Sequence, residues 1–205
     1  MCIIIMFLIG SLLLNAMADS TIVISVADKK FVAEVEDTAT GKAFVEKLPL
    51  TLDMSELNGN EKYCYGVTLP TASRRYDTIE AGDLMLYGSN CVVLFYDKAG
   101  GYSYTRIGKI KSTEGLVAAL GKGDVTVKFE KALLNASITM TDGKPQIGVE
   151  SNLPSWMKIK TLATRFLPAS ENEWKDYDTL TNEEKELVHF FKLQIAEEDK
   201  KFFVK

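Results

Sequence analysis

Residues 79–108 read Ile79-Glu80-Ala81-Gly82-Asp83-Leu84-Met85-Leu86-Tyr87, then Gly88-Ser89-Asn90, then Cys91-Val92-Val93-Leu94-Phe95-Tyr96. After Asp97-Lys98-Ala99-Gly100-Gly101 the chain resumes as Tyr102-Ser103-Tyr104-Thr105-Arg106-Ile107-Gly108. Three short runs rich in β-branched and aromatic residues, separated by Gly, Asn and Asp, have the pattern of strands joined by turns. Strand, turn, strand, turn, strand is the pattern of a meander.

Working outward, Thr21–Val26 and Lys30–Glu36 read as two more strands across an Ala27-Asp28-Lys29 turn. Asp37 can cap a helix in which Ala39, Ala43, Phe44 and Leu48 recur at helical spacing, with Pro49 as its stop. Residues 49–54 alternate as a strand, Asn58-Gly59-Asn60 is a turn signal, and 61–67 return as a strand. Residues 68–78, with Pro70, Arg74 and Arg75, read as a connecting loop. Ser112 can cap a helix over 113–120 that stops at Gly121, and 124–130 alternate as a closing strand. Many short strands with two brief helices predict a mainly β fold, a closed or nearly closed barrel.

The 205-residue chain can bury a core of ordinary size, and 46% hydrophobic with 25% charged residues is a globular composition. Residues 19–130 carry 13 basic and 16 acidic side chains, and 131–205 carry 11 and 12, so neither half is a basic patch for nucleic acid. Residues 3–14 are apolar apart from Gly10 and Ser11, and Ala16-Met17-Ala18 follows. That order predicts a signal peptide over 1–18, with cleavage before Asp19 and export to a periplasmic or extracellular space. No later stretch is apolar enough for a membrane span. Export would leave Cys64 and Cys91 able either to pair or to stay as two buried thiols, the second being the simpler reading.

The barrel pattern covers 19–130, and 131–205 form an extension. Residues 133–141 and 146–150 read as strands about an Asp142-Gly143 turn. Thr181 and Glu184 make a capping box for a terminal helix whose Leu187, Phe190, Phe191, Leu193 and Ile195 share a face, a surface for the barrel or for a protein partner. This makes the extension α-rich.

Several segments together resemble the bacterial cyclophilin-like domains, a branch distinct from the prolyl-isomerase cyclophilins. They are Leu48-Pro49-Leu50-Thr51-Leu52, Asn58-Gly59-Asn60-Glu61-Lys62-Tyr63, Ala81-Gly82-Asp83-Leu84-Met85-Leu86-Tyr87-Gly88, Val93-Leu94-Phe95-Tyr96, Ser103–Ile110 and Leu120-Gly121. The resemblance spans about residues 21–130 and implies a closed eight-stranded β-barrel with helices over its ends. In the isomerases an arginine donates to the prolyl nitrogen, and a glutamine and aromatic rings hold the peptide. Here the Phe-His-Arg segment of those enzymes has no clean match. Glu80 falls where their glutamine stands and Tyr104 where a histidine would be, while Arg74 and Arg75 lie upstream in a loop. These departures point away from isomerase activity.

Arg106 lies among Tyr102, Tyr104, Phe95 and Tyr96, where a guanidinium could bind a carboxylate or peptide carbonyl between rings. It could equally stack on a Tyr and pair with an acid such as Glu61 in a structural role. Tyr63 divides between groove wall and core in the same way. The candidate groove is therefore Tyr63, Glu80, Phe95, Tyr104 and Arg106. The lone His189 and the separated cysteines give no zinc site or Cys–His nucleophile, and Gly121-Lys122-Gly123 lacks phosphate-loop spacing. No metal or cofactor is expected. The sequence predicts an exported cyclophilin-like module that binds a peptide or small ligand. A divergent peptidyl-prolyl isomerase using Arg74, Arg75 or Arg106 is the alternative.

Overall fold

A computed structural model describes residues 14–15, 20–141 and 144–154. The chain divides into two compact units, one of Ala18–Ala132 and the other of Met1–Met17 with Leu133–Lys205. The strands are β1 (Leu14–Asn15), β2 (Thr21–Val26), β3 (Lys29–Val35), β4 (Leu50–Leu57), β5 (Glu61–Tyr65), β6 (Arg74–Tyr76), β7 (Asp83–Tyr87), β8 (Cys91–Phe95), β9 (Tyr102–Ile110), β10 (Val125–Lys131), β11 (Leu134–Thr141) and β12 (Lys144–Ser151). The helices are α1 (Ala39–Glu46) and α2 (Leu116–Leu120).

In the larger unit eight strands follow the order β3-β2-β10-β4-β5-β8-β7-β9, and β9 pairs again with β3 to close an antiparallel barrel. Period-two alternation puts every second residue inside. Ile22, Ile24 and Val26 of β2, Leu52 and Met54 of β4, Val92 and Leu94 of β8, and Val127 and Phe129 of β10 form one buried cluster. Both helices contribute to it, Phe44 from α1 and Leu116 and Leu120 from α2. Phe44 meets Phe129 edge to face at 5.6 Å.

Several local expectations are corrected. Thr38 rather than Asp37 caps α1, its side chain accepting from Gly41 N, while Asp37 pairs with Lys42 at 2.7 Å. The second helix starts only at Leu116, behind Gly115, with no side-chain cap. It does end at Gly121, whose φ of +62° suits glycine. Asn58 and Gly59 both take positive φ, as a tight hairpin turn requires. Arg74 and Arg75, expected in a loop, lie on β6, which pairs with β9 through Arg74↔Tyr104 and Tyr76↔Tyr102.

The three strands of 79–108 do not form a meander. The far edge of β8 is taken by β5, through Glu61↔Phe95 to Tyr65↔Cys91. The next strand therefore adds to the other edge of β7, through Asp83↔Lys109 to Leu86↔Thr105. Residues 96–101 must cross from β8 to that edge, and on the way Ala99 forms an isolated bridge with Ile79. The register of β9 against β7 slips by one residue between Leu84 and Met85, so Ile107 and Ile110, three apart, both reach the barrel core.

Barrel closure depends on a close approach at Gly108, which sits opposite Val35 in the seam. A Cβ there would lie 2.4 Å from Glu34 O and 3.0 Å from Val35 Cα, both backbone atoms that cannot swing aside. One interior position is charged. Lys62 on β5 is fully buried, and its ammonium donates to the Glu56 carboxylate, to Gly123 O at 2.6 Å and to Gly121 O at 3.2 Å, with Tyr96 also donating to Glu56. Burial pushes the Glu56 carboxyl up, but the hydrogen bonds from Lys62, Tyr96 and the Gly59 amide outweigh it and leave it lower than usual. Burial beside Glu56 raises the Tyr96 hydroxyl to about 12, so it stays a donor. The glycines at 121 and 123 thus end a helix and also give their carbonyls to a buried cation.

In the second unit β11 and β12 form an antiparallel hairpin from Leu134↔Ser151 to Thr141↔Lys144, as the turn signal predicts. Leu14 and Asn15, within the expected leader, pair with Ala136 and Asn135 of β11. The rest of the leader, the terminal helix face at 187–195 and His189 lie outside the described residues.

Gly108→Ala is expected to lower stability by about 2 kcal/mol in denaturant unfolding, because the seam must open to admit a methyl group. A loss below roughly 0.5 kcal/mol would show that the seam relaxes at little cost. Lys62→Met should lose about 3 kcal/mol by leaving Glu56 and two carbonyls without their donor. Lys62→Met/Glu56→Gln should lose less than Lys62→Met alone.

Candidate functional site

The alternation that sends Lys62 inward sends its neighbours outward. On β5, Glu61, Tyr63 and Tyr65 face away from the barrel core, as do Cys91, Val93 and Phe95 on β8, Met85 and Tyr87 on β7, and Tyr104 on β9. Of these, Met85, Cys91, Val93, Phe95 and Tyr104 form a second buried cluster with Ile79, against which Tyr63, Tyr76 and Ala99 pack. This cluster lies on the outer wall. It is covered by the 96–101 crossing on one side and bordered by the β4–β5 turn on the other. Between them is a cavity of about 320 Å³, within the usual size of a small-ligand site.

Six aromatic residues line it: Tyr63, Tyr65, Tyr87, Phe95, Tyr102 and Tyr104. Tyr104 packs edge to face on Phe95 at 5.5 Å and tilted against Tyr87 at 5.6 Å, and Tyr63 meets Tyr65 edge-on at 5.8 Å. Tyr65, Tyr87 and Tyr102 remain 58%, 50% and 62% exposed, so the rim is open to a ligand. Leu57, Asn58, Asn60, Cys91, Val93 and Ala99 complete the lining with one carboxylic acid, Glu61.

Glu61 is only 6% exposed and accepts a long hydrogen bond, 3.4 Å, from the Tyr104 hydroxyl. Burial pushes its carboxyl above the ordinary glutamate range. The Tyr104 bond opposes that shift, and the nearby Glu56 charge adds to it. The same burial and the facing carboxylate raise the Tyr104 hydroxyl well above a free tyrosine, which keeps it protonated and donating.

Cys64 and Cys91 are free thiols. Tyr65 is the residue opposite Cys91, while Cys64 stands opposite Val92. Cys64 packs on the barrel core and Cys91 on the outer cluster, so the two sulfurs belong to opposite faces of the sheet. Burial pushes the Cys91 thiol up to about 11, which makes it an inert wall residue at neutral pH.

The cavity brings together Tyr63, Phe95 and Tyr104 of the expected groove. Glu80 and Arg106 are not among its lining residues. The Glu80 backbone N–H donates to Asp83 at 3.0 Å in the turn before β7. Arg106 donates to the same Asp83 at 3.2 Å, lies 3.9 Å from Glu36, and stacks on the Tyr76 ring at 5.2 Å. Its acidic partners are thus Asp83 and Glu36 rather than Glu61. Arg74 donates to the Tyr76 hydroxyl and stacks on that ring, and Arg75 lies 4.0 Å from Asp77. No group of acidic, cysteine or histidine side chains that could hold a metal occurs among the described residues.

Sequence reasoning considered Glu61 only as a partner for Arg106 and did not place Tyr65, Tyr87 or Tyr102 in the groove. A signal was present. In Glu61-Lys62-Tyr63-Cys64-Tyr65, period-two alternation sets an acid and two tyrosines on one face.

An antiparallel eight-stranded barrel closed on itself, with two short helices and an aromatic-walled cavity on its outer wall, defines a barrel of the cyclophilin class. The sequence model of the cyclophilin-like family matches residues 24–130, more than half of the chain, and the chain belongs to that family. A search of curated proteins finds no match.

The raised Glu61 carboxyl sets a pH dependence of stability. Below the ordinary glutamate range the group is protonated whether folded or unfolded and contributes nothing. As pH rises the unfolded chain ionises first, so stability falls until the folded-state carboxyl has also ionised. Glu61→Gln should therefore match wild type near pH 4 and be the more stable of the two at pH 7 to 8, as chemical denaturation can measure. A variant that is less stable at pH 7 would show that the ionised carboxylate is satisfied in the fold.

Proposed function

We propose that this chain is an exported cyclophilin-like binding module that holds a peptide or small ligand in the outer-wall cavity, without prolyl isomerase activity. The observation that carries this reading is the chemistry of the lining. Six aromatic residues and one buried acid surround the space, and none of the thirteen lining residues is Arg, Lys or His. Prolyl isomerisation must lower a barrier of about 20 kcal/mol. The donor that weakens amide resonance at the prolyl nitrogen has to sit within hydrogen-bond reach of it. Arg106 is instead directed to Asp83, a carboxylate buried beneath Lys109 as well, and Arg74 is engaged with Tyr76.

Binding fits the same walls well. Tyrosine rings supply contact area with little conformational freedom to lose, and their hydroxyls supply polar contacts at the rim. Support for export is the apolar run of residues 3–14 followed by Ala16-Met17-Ala18. Amino-terminal sequencing of the protein made in a secreting host should begin at Asp19; a chain still carrying Met1 would overturn the export reading.

The direct test of function is a prolyl-isomerisation assay on wild type, Arg106→Ala and Arg74→Ala/Arg75→Ala. No acceleration above the uncatalysed rate is expected for any of them. Acceleration by wild type that disappears in one variant would make the protein an enzyme and identify its arginine. Beside it, a proline-containing peptide library should include sequences that bind wild type and lose most of their affinity in Tyr65→Ala/Tyr87→Ala. Those two rings are exposed at the rim, so their removal leaves the core intact.

A further inference from the structure

Glu61 is the one lining group that ionises in the carboxylate range, and among the described residues no cation pairs with it. Lys62, next in sequence, points to the other face of the sheet and is held by Glu56 and two carbonyls. The charge that acts on Glu61 is Glu56, of its own sign. Its bond from Tyr104 is long, and an ionised carboxylate has several further lone-pair positions to offer. Around it stand aromatic rings whose faces carry the negative end of a quadrupole. A site in which the described residues supply a buried acid, six aromatic side chains and no basic group is repulsive to anions and complementary to a positive charge.

We propose that the cavity is a receptor for an organic ammonium group, seated between the tyrosine rings with its charge over the Glu61 carboxylate. This rests on the reading of the cavity as the ligand site and names the chemistry of what it takes. Cation–π attraction to several rings is strongest where water is displaced, and a carboxylate beside the rings adds Coulombic attraction that needs no N–H donor. A bound ammonium would also relieve the cost of holding Glu61 ionised while buried, because it supplies the opposite charge that the fold leaves out. The volume suits a headgroup or a single side-chain terminus rather than an extended chain. Tyr65, Tyr87 and Tyr102 at the rim would close around the stem that follows.

The test compares choline with its neutral isostere 3,3-dimethylbutan-1-ol by titration calorimetry on the full chain at pH 7.5. The expected result is that choline binds at least ~10-fold more tightly than the alcohol. Glu61→Gln should reduce choline affinity ~10-fold, by removing the Coulombic partner of its charge, and leave the alcohol unchanged. Tyr65→Ala/Tyr87→Ala, which spares the core, should weaken choline by a similar factor and serves as the second variant should Glu61→Gln fold poorly. Equal affinity for the two compounds, or choline binding that is indifferent to Glu61→Gln, would overturn the ammonium assignment. In that case alcohol binding that depends on Tyr65 and Tyr87 would keep the cavity as a ligand site for neutral groups. Absence of binding by either compound would also overturn the ammonium assignment, and the peptide library would then decide separately whether the cavity binds anything.

Discussion

Closure of the barrel at β3–β9 is the constraint from which the other features follow. An eight-stranded sheet has no free edges only if its first and last members meet, and here the meeting place is the backbone approach at Gly108. For β9 to pair with β3 on one side it must pair with β7 on the other, since β8 already has β5 and β7 as neighbours. That allocation of edges forces residues 96–101 across the outside of the wall. The crossing brings Ala99 onto Ile79 and delivers Tyr102 to the rim and Tyr104 to the buried wall of a cavity that a simple meander would not have built. A glycine in the seam is thus connected, through strand order, to the existence of the site.

The second organising fact is the division of labour between adjacent residues of β5. Lys62 and Glu61 are both buried charged side chains one position apart, yet they belong to different environments because a strand alternates faces. Inside the barrel the charge is completed. Lys62 has a carboxylate, two carbonyls and the ring of Tyr96 at 5.3 Å, an arrangement in which each partner's cost of burial is offset by the others. On the outer wall the charge is left incomplete among the described residues, with one long hydrogen bond from a tyrosine. A fold can hold an uncompensated carboxyl only where the rest of the structure is stable without it, and the closed, well-filled barrel supplies that stability.

Most of the barrel was legible from punctuation and period. The runs Thr21–Val26, Leu84–Tyr87 and Cys91–Tyr96 are apolar enough, and their glycine and asparagine turns sharp enough, that local chemistry decides their structure. Strand order within 79–108 was not legible, because antiparallel neighbours in sequence pair by default and only the edge already claimed by β5 overrides that default. The short β6 was missed for a related reason: Arg74-Arg75-Tyr76 has no apolar alternation and is a strand only because Tyr102–Tyr104 of β9 extend past the part paired with β3 and β7. For the site, Tyr63, Phe95 and Tyr104 could be named from their strands, while Arg106 drew attention for its aromatic neighbours in sequence. Its position on β9 places it instead beside Asp83 and Tyr76. Sequence proximity to aromatic residues is a poor guide on a strand, where the next residue faces the other way.

The contrast between Arg106 and Glu61 also says what kind of chemistry the wall favours. An arginine already paired with a buried aspartate has its charge engaged by the fold, and turning it to a substrate would require breaking that pair first. A buried carboxyl with one long hydrogen bond is in the opposite condition, since any cation that reaches it improves its surroundings. Fold alone does not decide function, because the same barrel can carry a catalytic arginine or none. The proposed binding reading rests on other side chains of the wall. Those are the acid at 61 and the rings at 65, 87 and 102, which line the cavity on the face of the sheet turned away from the barrel core.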